Sequence, residues 1–232
     1  WRSCFFFMCF LYILILYHSY CDYLCQSMFW VHRFQHLVLH HLASMLMVLG
    51  DVEIVRKVLP NYWPCWSSVP TLIRWPCERL YHLIQHPVLA PILFVGLIYL
   101  WLIPDIHFIA MLSKKLYYVM NWSMLLDGFL FWWLVLGPEW RGEGKGFKTR
   151  IIMMFVVVVP QQLLGAYLTF STDVIYDVYD VCGRAWPISP IADQIYGGII
   201  TWIPASMMSV LGLVLVLRRR LNYQKNENYE KT

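Results

Sequence analysis

The sequence predicts an all-α protein: a polytopic transmembrane helical bundle with about six spans in this chain and both termini cytoplasmic. Three observations carry that expectation. Of the 232 residues, 59% are hydrophobic and only 14% charged, where soluble domains carry about 25% charged residues, so there is too little polar surface to coat a water-soluble globule. Mean hydropathy is +0.54, and the apolar residues gather into runs of the length that crosses a bilayer. The basic residues fall on alternate connections between those runs, as the positive-inside rule requires.

The runs cover residues 4–17, 28–50, 87–103, 119–137, 151–170 and 195–217. The first is short for a bilayer and follows Arg2, but no small-residue cleavage site closes it, so it reads as a helix and not a signal peptide. Arg2, the four basic residues between 51 and 86, the four between 141 and 150, and the five after 217 share one side, which makes 14 of the 18 Lys and Arg. The opposite connections hold Asp22, Asp105, Asp173, Asp177, Asp180 and Asp193. That asymmetry places the first group in the cytoplasm. The connection 51–86 is broken by Pro60, Pro64, Pro70 and Pro76 and carries Trp63, Trp66 and Trp75, so short interfacial pieces are expected there. Residues 1–221 form a single membrane domain, and 222–232 a polar cytoplasmic tail expected to be disordered. The net charge of +4 follows this topology and is not read as a nucleic-acid footprint.

Candidate chemistry centres on the second run. His32, His36 and His40 are spaced i, i+4, i+8 and are expected to stack on one helix face. Polar side chains inside a membrane are costly and face the bundle interior, and imidazole is a ligand for copper, iron and zinc; interhelical hydrogen bonding by the same histidines is the plainer alternative. Arg33 and His41 point elsewhere and are assigned to interhelical or interfacial contacts. Asp22 and Asp193 stand at the outer ends of the first and sixth runs. Weaker candidates are His18, Cys21, Cys25, Met120 and Asn121; Cys21 and Cys25 lie one helical turn apart, and thioethers suit Cu(I). Of the seven cysteines none forms a Cys-x-x-Cys unit, which argues against a zinc module. Asp127 in the fourth run is expected to be paired or protonated. Pro160-Gln-Gln in the fifth is a kink whose glutamines serve freed backbone groups, and Gly197-Gly198 in the sixth allows close helix approach. No nucleophile–base pairing is recognisable, so the chain is not read as an enzyme.

These residues together resemble the CtaG-type cytochrome c oxidase assembly proteins, polytopic bacterial membrane proteins associated with copper delivery. The resemblance rests on His18-Ser19-x-x-Asp22, His32-x-x-Gln35-His36, Val48-Leu-Gly50, Leu130-Phe-Trp-Trp133, and Ser189-Pro-x-x-Asp193-Gln194 running into Gly198-x-Ile-x-Trp202-x-Pro204. The chain departs where the family carries Trp-His-x-Pro, here Trp101-Leu-Ile-Pro104, and where it carries Glu-His, here Met120-Asn121. Two imidazoles are thereby absent, which makes this a divergent member. The family usually has seven spans, so one N-terminal span is expected to be missing.

The resemblance implies a non-enzymatic metallochaperone of the bacterial inner membrane. It would deliver copper to cytochrome c oxidase subunits by ligand exchange at the outer-side histidines His32 and His36, with His40 deeper and Asp22 and Asp193, expected at the same level on neighbouring helices, completing the metal set. Two alternatives stay open: an accessory subunit of a larger membrane metalloenzyme with no metal of its own, and a copper permease or haem-binding membrane protein.

Overall fold

In the computed structural model, residues 19–50, 70–137 and 146–230 are described, together with Met8 and Leu11. The first expected span (but for Met8 and Leu11), His18, and residues 51–69 and 138–145 lie outside the described residues. Those described are helical without strands, as the sequence predicts. In chain order the helices are α1 Ser19–Ser27, α2 Phe29–His36, a π segment Leu37–Ala43, α3 Ser44–Leu49, α4 Thr71–Ile84, α5 Leu89–Leu102, α6 Pro104–Leu112, α7 Lys114–Leu136, α8 Phe147–Phe170, α9 Val178–Cys182 and α10 Pro190–Glu230.

Three of these, α7, α8 and the 190–222 part of α10, are long and apolar enough to cross a membrane; the bent pair α4 and α5 brings the number to four at most among the described residues. Five of the six expected spans fall among the described residues, and three or four of those are long and apolar enough to cross. Helix α5 has only 14 residues, about 21 Å of rise against a hydrocarbon core of about 30 Å, and it meets α4 at 82°. The run from Phe29 to Leu49 is helical, but the π segment divides it and its first half is polar, with His32, Arg33, Gln35 and His36. The expected disordered tail is instead the end of α10, which continues to Glu230. No glycine or proline after Pro204 and Gly212 stops that helix.

The α2–π–α3 run lies at the centre, packed on α10 and α7, while α8 packs along α10 and α5 along α7. Two apolar clusters bracket it. One joins Met45, Val48, Phe94, Phe131, Trp132, Met153 and Val157; the other joins Phe29, Trp101, Met111, Tyr117, Met120, Leu164 and Tyr179. The buried histidines sit between them.

Close helix contact depends on glycine at the π segment. A Cβ on Gly128 of α7 would run into the backbone carbonyl of His40, so only glycine lets α7 pass there. The π segment has its own support: Ser44 Oγ donates to the Leu39 carbonyl at 2.7 Å and lies 3.2 Å from that of Leu125, which serves backbone acceptors that a widened turn leaves short of partners.

The basic end of the bundle is tied by its cations. Arg150 of α8 donates to the Val135 carbonyl at 2.5 Å and Arg219 of α10 to that of Leu136, so the last carbonyls of α7, unpaired within their own helix, are capped from both neighbours. Gln85, between α4 and α5, donates to the Leu130 carbonyl at 2.9 Å, which puts the α4–α5 corner at the same end. If this end faces the cytoplasm, Glu143→Cys and Gln224→Cys in a cysteine-free background stay unmodified by an impermeant thiol reagent in intact cells. Asp177→Cys, exposed near the other end, reacts readily. Labelling at 143 or 224 reverses the topology.

Helix α4 has no buried residue. Leu72, Ile73, Trp75, Leu80 and Leu83 are all exposed, Arg79 stacks on Trp75 at 4.8 Å, and Arg74 pairs with Glu78.

Candidate functional site

His32, on α2, is fully buried, and neither ring nitrogen has a hydrogen-bond partner among the described residues. Its ring centroid lies 4.3 Å from that of His36, 5.4 Å from His107 and 5.9 Å from Tyr117. An imidazole buried in this way normally finds a partner. Its ring neighbours His36, His107 and Tyr117 are each bonded to other groups.

His36 is held at both nitrogens. Arg33 Nη2 lies 2.5 Å from Nδ1, and a guanidinium can only donate, so Nδ1 accepts and Nε2 carries the proton. Nε2 then donates to Asn121 Oδ1 at 3.1 Å. Asn121, where the family pattern has histidine, is thus an acceptor for His36. His107 is likewise fixed: Nδ1 lies 2.9 Å from the Trp101 carbonyl, which can only accept, so Nε2 accepts from the Tyr179 hydroxyl at 2.9 Å. Burial of this ring, outside the long spans, lowers its pKa to about 3, so it stays neutral. Tyr117 donates to Gln35 Oε1 at 3.1 Å.

The expected stack of His32, His36 and His40 on one face does not form. The π segment begins at Leu37, and its i→i+5 bonding widens the coil, so His40 no longer falls above His36. His40 Nε2 pairs instead with Asp127 Oδ2 at 3.2 Å, with its ring stacked on Phe94 at 3.9 Å. His41 Nε2 lies 3.3 Å from Gln161 Nε2, the residue after the Pro160 kink. There are therefore two histidine groups: His32, His36 and His107 near α2, and His40 and His41 in the π segment.

The carboxylates also lie apart from His32. Asp193, 0% exposed, accepts from the backbone N–H of Phe29 at 3.1 Å and of Trp30 at 2.9 Å, and from Arg184 Nε at 3.3 Å. Both oxygens are used, satisfying the first N–H groups of α2 from across the bundle. Asp22 accepts from Gln26 at 3.1 Å and faces a separate cavity of about 280 Å³ with Gln26, Lys114 and Tyr117. Cys21 and Cys25 are free thiols, and the Cys25 Sγ lies 3.9 Å from the Val31 carbonyl. Met120 is fully buried in the apolar cluster around Tyr117. Among the described residues no three His, Cys, Asp or Glu side chains converge to hold a metal.

In the sequence His107 stands beside Asp105 in an outer-side connection and reads as a weak candidate ligand, while Arg33 is assigned to interhelical or interfacial contact. A signal for His107 was available: Pro104 opens α6 after the extended Ile103, and a residue one turn later faces back over the chain it just left. That fold-back brings an imidazole beside His32 although the histidine before Pro104 is absent.

The family model of the cytochrome c oxidase caa3 assembly factor (Caa3_CtaG) matches residues 1–222, a description of an assembly factor and not of a catalyst. Uncharacterized proteins of Mycobacterium leprae (strain TN), Mycobacterium bovis and Mycobacterium tuberculosis are each 26% identical over 214 residues, covering 83% of this chain and 30% of the relative. The chain thus spans under a third of the length of those relatives. No solved structure matches it.

Proposed function

The chain belongs to the cytochrome c oxidase caa3 assembly factor family, and on that premise we propose that it is a bacterial cytoplasmic-membrane assembly factor that passes copper to cytochrome c oxidase through His32. The observation that carries the reading is the unpartnered His32 ring between His36 and His107. A neutral imidazole has one N–H and one lone pair, so His32 accepts a cuprous ion without releasing a proton. His36 is the exchangeable second ligand: when Arg33 withdraws, its Nδ1 lone pair becomes available. Transfer is ligand substitution with no redox step and no nucleophile.

Copper analysis of full-length protein purified from copper-replete membranes tests this. Wild type is expected to hold about one copper, His32→Ala none, and His40→Ala, whose ring belongs to the Asp127 pair, the wild-type amount. Equal copper in wild type and His32→Ala removes the copper assignment. A second reading, an accessory subunit whose histidines only join helices, is favoured by the protein-bonded rings of His36, His40 and His107. Its signature is co-purification with a respiratory complex at a fixed integer ratio, with no copper of its own.

A further inference from the structure

Arg33 is an uncompensated cation in the middle of the bundle. It is 3% exposed, and no carboxylate among the described residues lies within ion-pair distance of it. Its one hydrogen-bond partner is the neutral Nδ1 of His36, and its Nε–H has none. The Phe29 ring lies 5.8 Å from its guanidinium carbon, a weak offset for a buried full charge. Burial of an unpaired ion is costly in any protein interior and more so at membrane depth.

The same side chain lines a cavity of about 30 Å³ shared with His36, His40, His41, Gln161 and Thr201. That lining is rich in donors. With the Gln161 amide placed as it is, its Nε2 donates to His41 Nε2, so His41 carries its proton on Nδ1, and Nδ1 has no partner. With the amide turned over, His41 Nε2 donates to it and the Gln161 NH₂ is left over instead. Either way an N–H of this pair is left without a partner in the lining that Arg33 shares. The carboxylate near this group, Asp127, is engaged with His40 Nε2 and does not line the cavity.

We propose that this cavity between the α2–π run, α8 and α10 binds a small monovalent anion of halide size, held by Arg33 and by the spare N–H of the His41–Gln161 pair. Its volume of about 30 Å³ admits about one to two water-sized bodies, which suits a monatomic anion better than phosphate, sulfate or an organic carboxylate. The anion supplies the missing counter-charge for Arg33. It also relieves the repulsion that guanidinium exerts on any cation beside His36, yet the assignment stands on the cavity alone and does not depend on copper.

The test uses full-length protein in lipid nanodiscs, free of copper, titrated with chloride against a gluconate background while the chloride NMR line width is followed. Wild type is expected to give saturable broadening that bromide reverses. Arg33→Gln is expected to abolish the saturable part, His41→Leu to weaken affinity by roughly tenfold, about 1.4 kcal/mol, and His32→Ala to retain wild-type binding. That last variant separates this result from the copper reading, since it is the one expected to lose copper. Unsaturable broadening in wild type, or a saturable part unchanged in Arg33→Gln, overturns the site. Should Arg33→Gln fail to fold, His41→Leu decides: unchanged halide affinity there overturns it equally.

Discussion

Gly128→Ala is expected to lower the thermal stability of the detergent-solubilised protein sharply, and Gly128→Val to leave no folded protein at all. The added Cβ meets the His40 carbonyl oxygen and carbon and comes within 2.9 Å of the His40 ring carbon. The obstacle is backbone, and backbone of a π segment already fixed by Ser44 and by the His40–Asp127 pair. It has no rotamer to yield. Overpacking of a core usually costs 1–3 kcal/mol; a clash with a main chain that cannot retreat belongs at the top of that range, about 3 kcal/mol for alanine. Gly96→Ala is the control, because nothing lies within 4 Å of a Cβ there and helix propensity favours alanine by up to about 1 kcal/mol. A size-exclusion melting profile compares the two directly. If Gly128→Ala melts with wild type, α7 and the π segment are not in contact as described.

Asp193→Ala is the second large effect. It removes the acceptor for two backbone N–H groups of α2 and leaves Arg184, whose other partner is the half-exposed Asp180. Breaking a buried ion pair from one side costs about 3–5 kcal/mol, and here orphaned amides add to it. Asp193→Asn retains one acceptor oxygen for an amide but not the charge for Arg184, so roughly half the loss is expected. A double-mutant cycle with Arg184→Ala isolates the ionic part; the cycle is expected to show coupling of at least 1 kcal/mol, and additive losses would mean that Asp193 acts on the α2 amides alone.

Much of this was legible in the residues. The helical class follows from apolar run lengths. Gly197 and Gly198 mark the contacts of α10 with Phe29 and with Thr169, and Asp127 meets the pairing expected of a carboxylate at membrane depth. The histidine pattern misled for a definite reason. An i, i+4, i+8 spacing presumes a constant turn, and one π segment between the second and third histidine shifts every later side chain without leaving a mark in the spacing. Asp193 was recognised as buried chemistry, but whether its carboxylate serves a helix start, as its bonds to Phe29 and Trp30 show, or a metal was not legible, because both have the same local sequence. Fewer of the described runs become spans than expected because length along the sequence did not become depth, as in the 14-residue α5.

The corner between α4 and α5 has a mechanical meaning. A helix turned by 82° from its successor, with Leu72, Trp75 and Leu83 bare on it, behaves as a float: pulled toward water it uncovers tryptophan and leucine, pushed inward it drags Arg74, Glu78 and Arg79 into hydrocarbon. The waterline of the whole bundle is therefore set at one rim. If the surrounding bilayer grows thicker or thinner, the mismatch is expected to fall more on the opposite rim, where Asp193 and Arg184 fasten the start of α2.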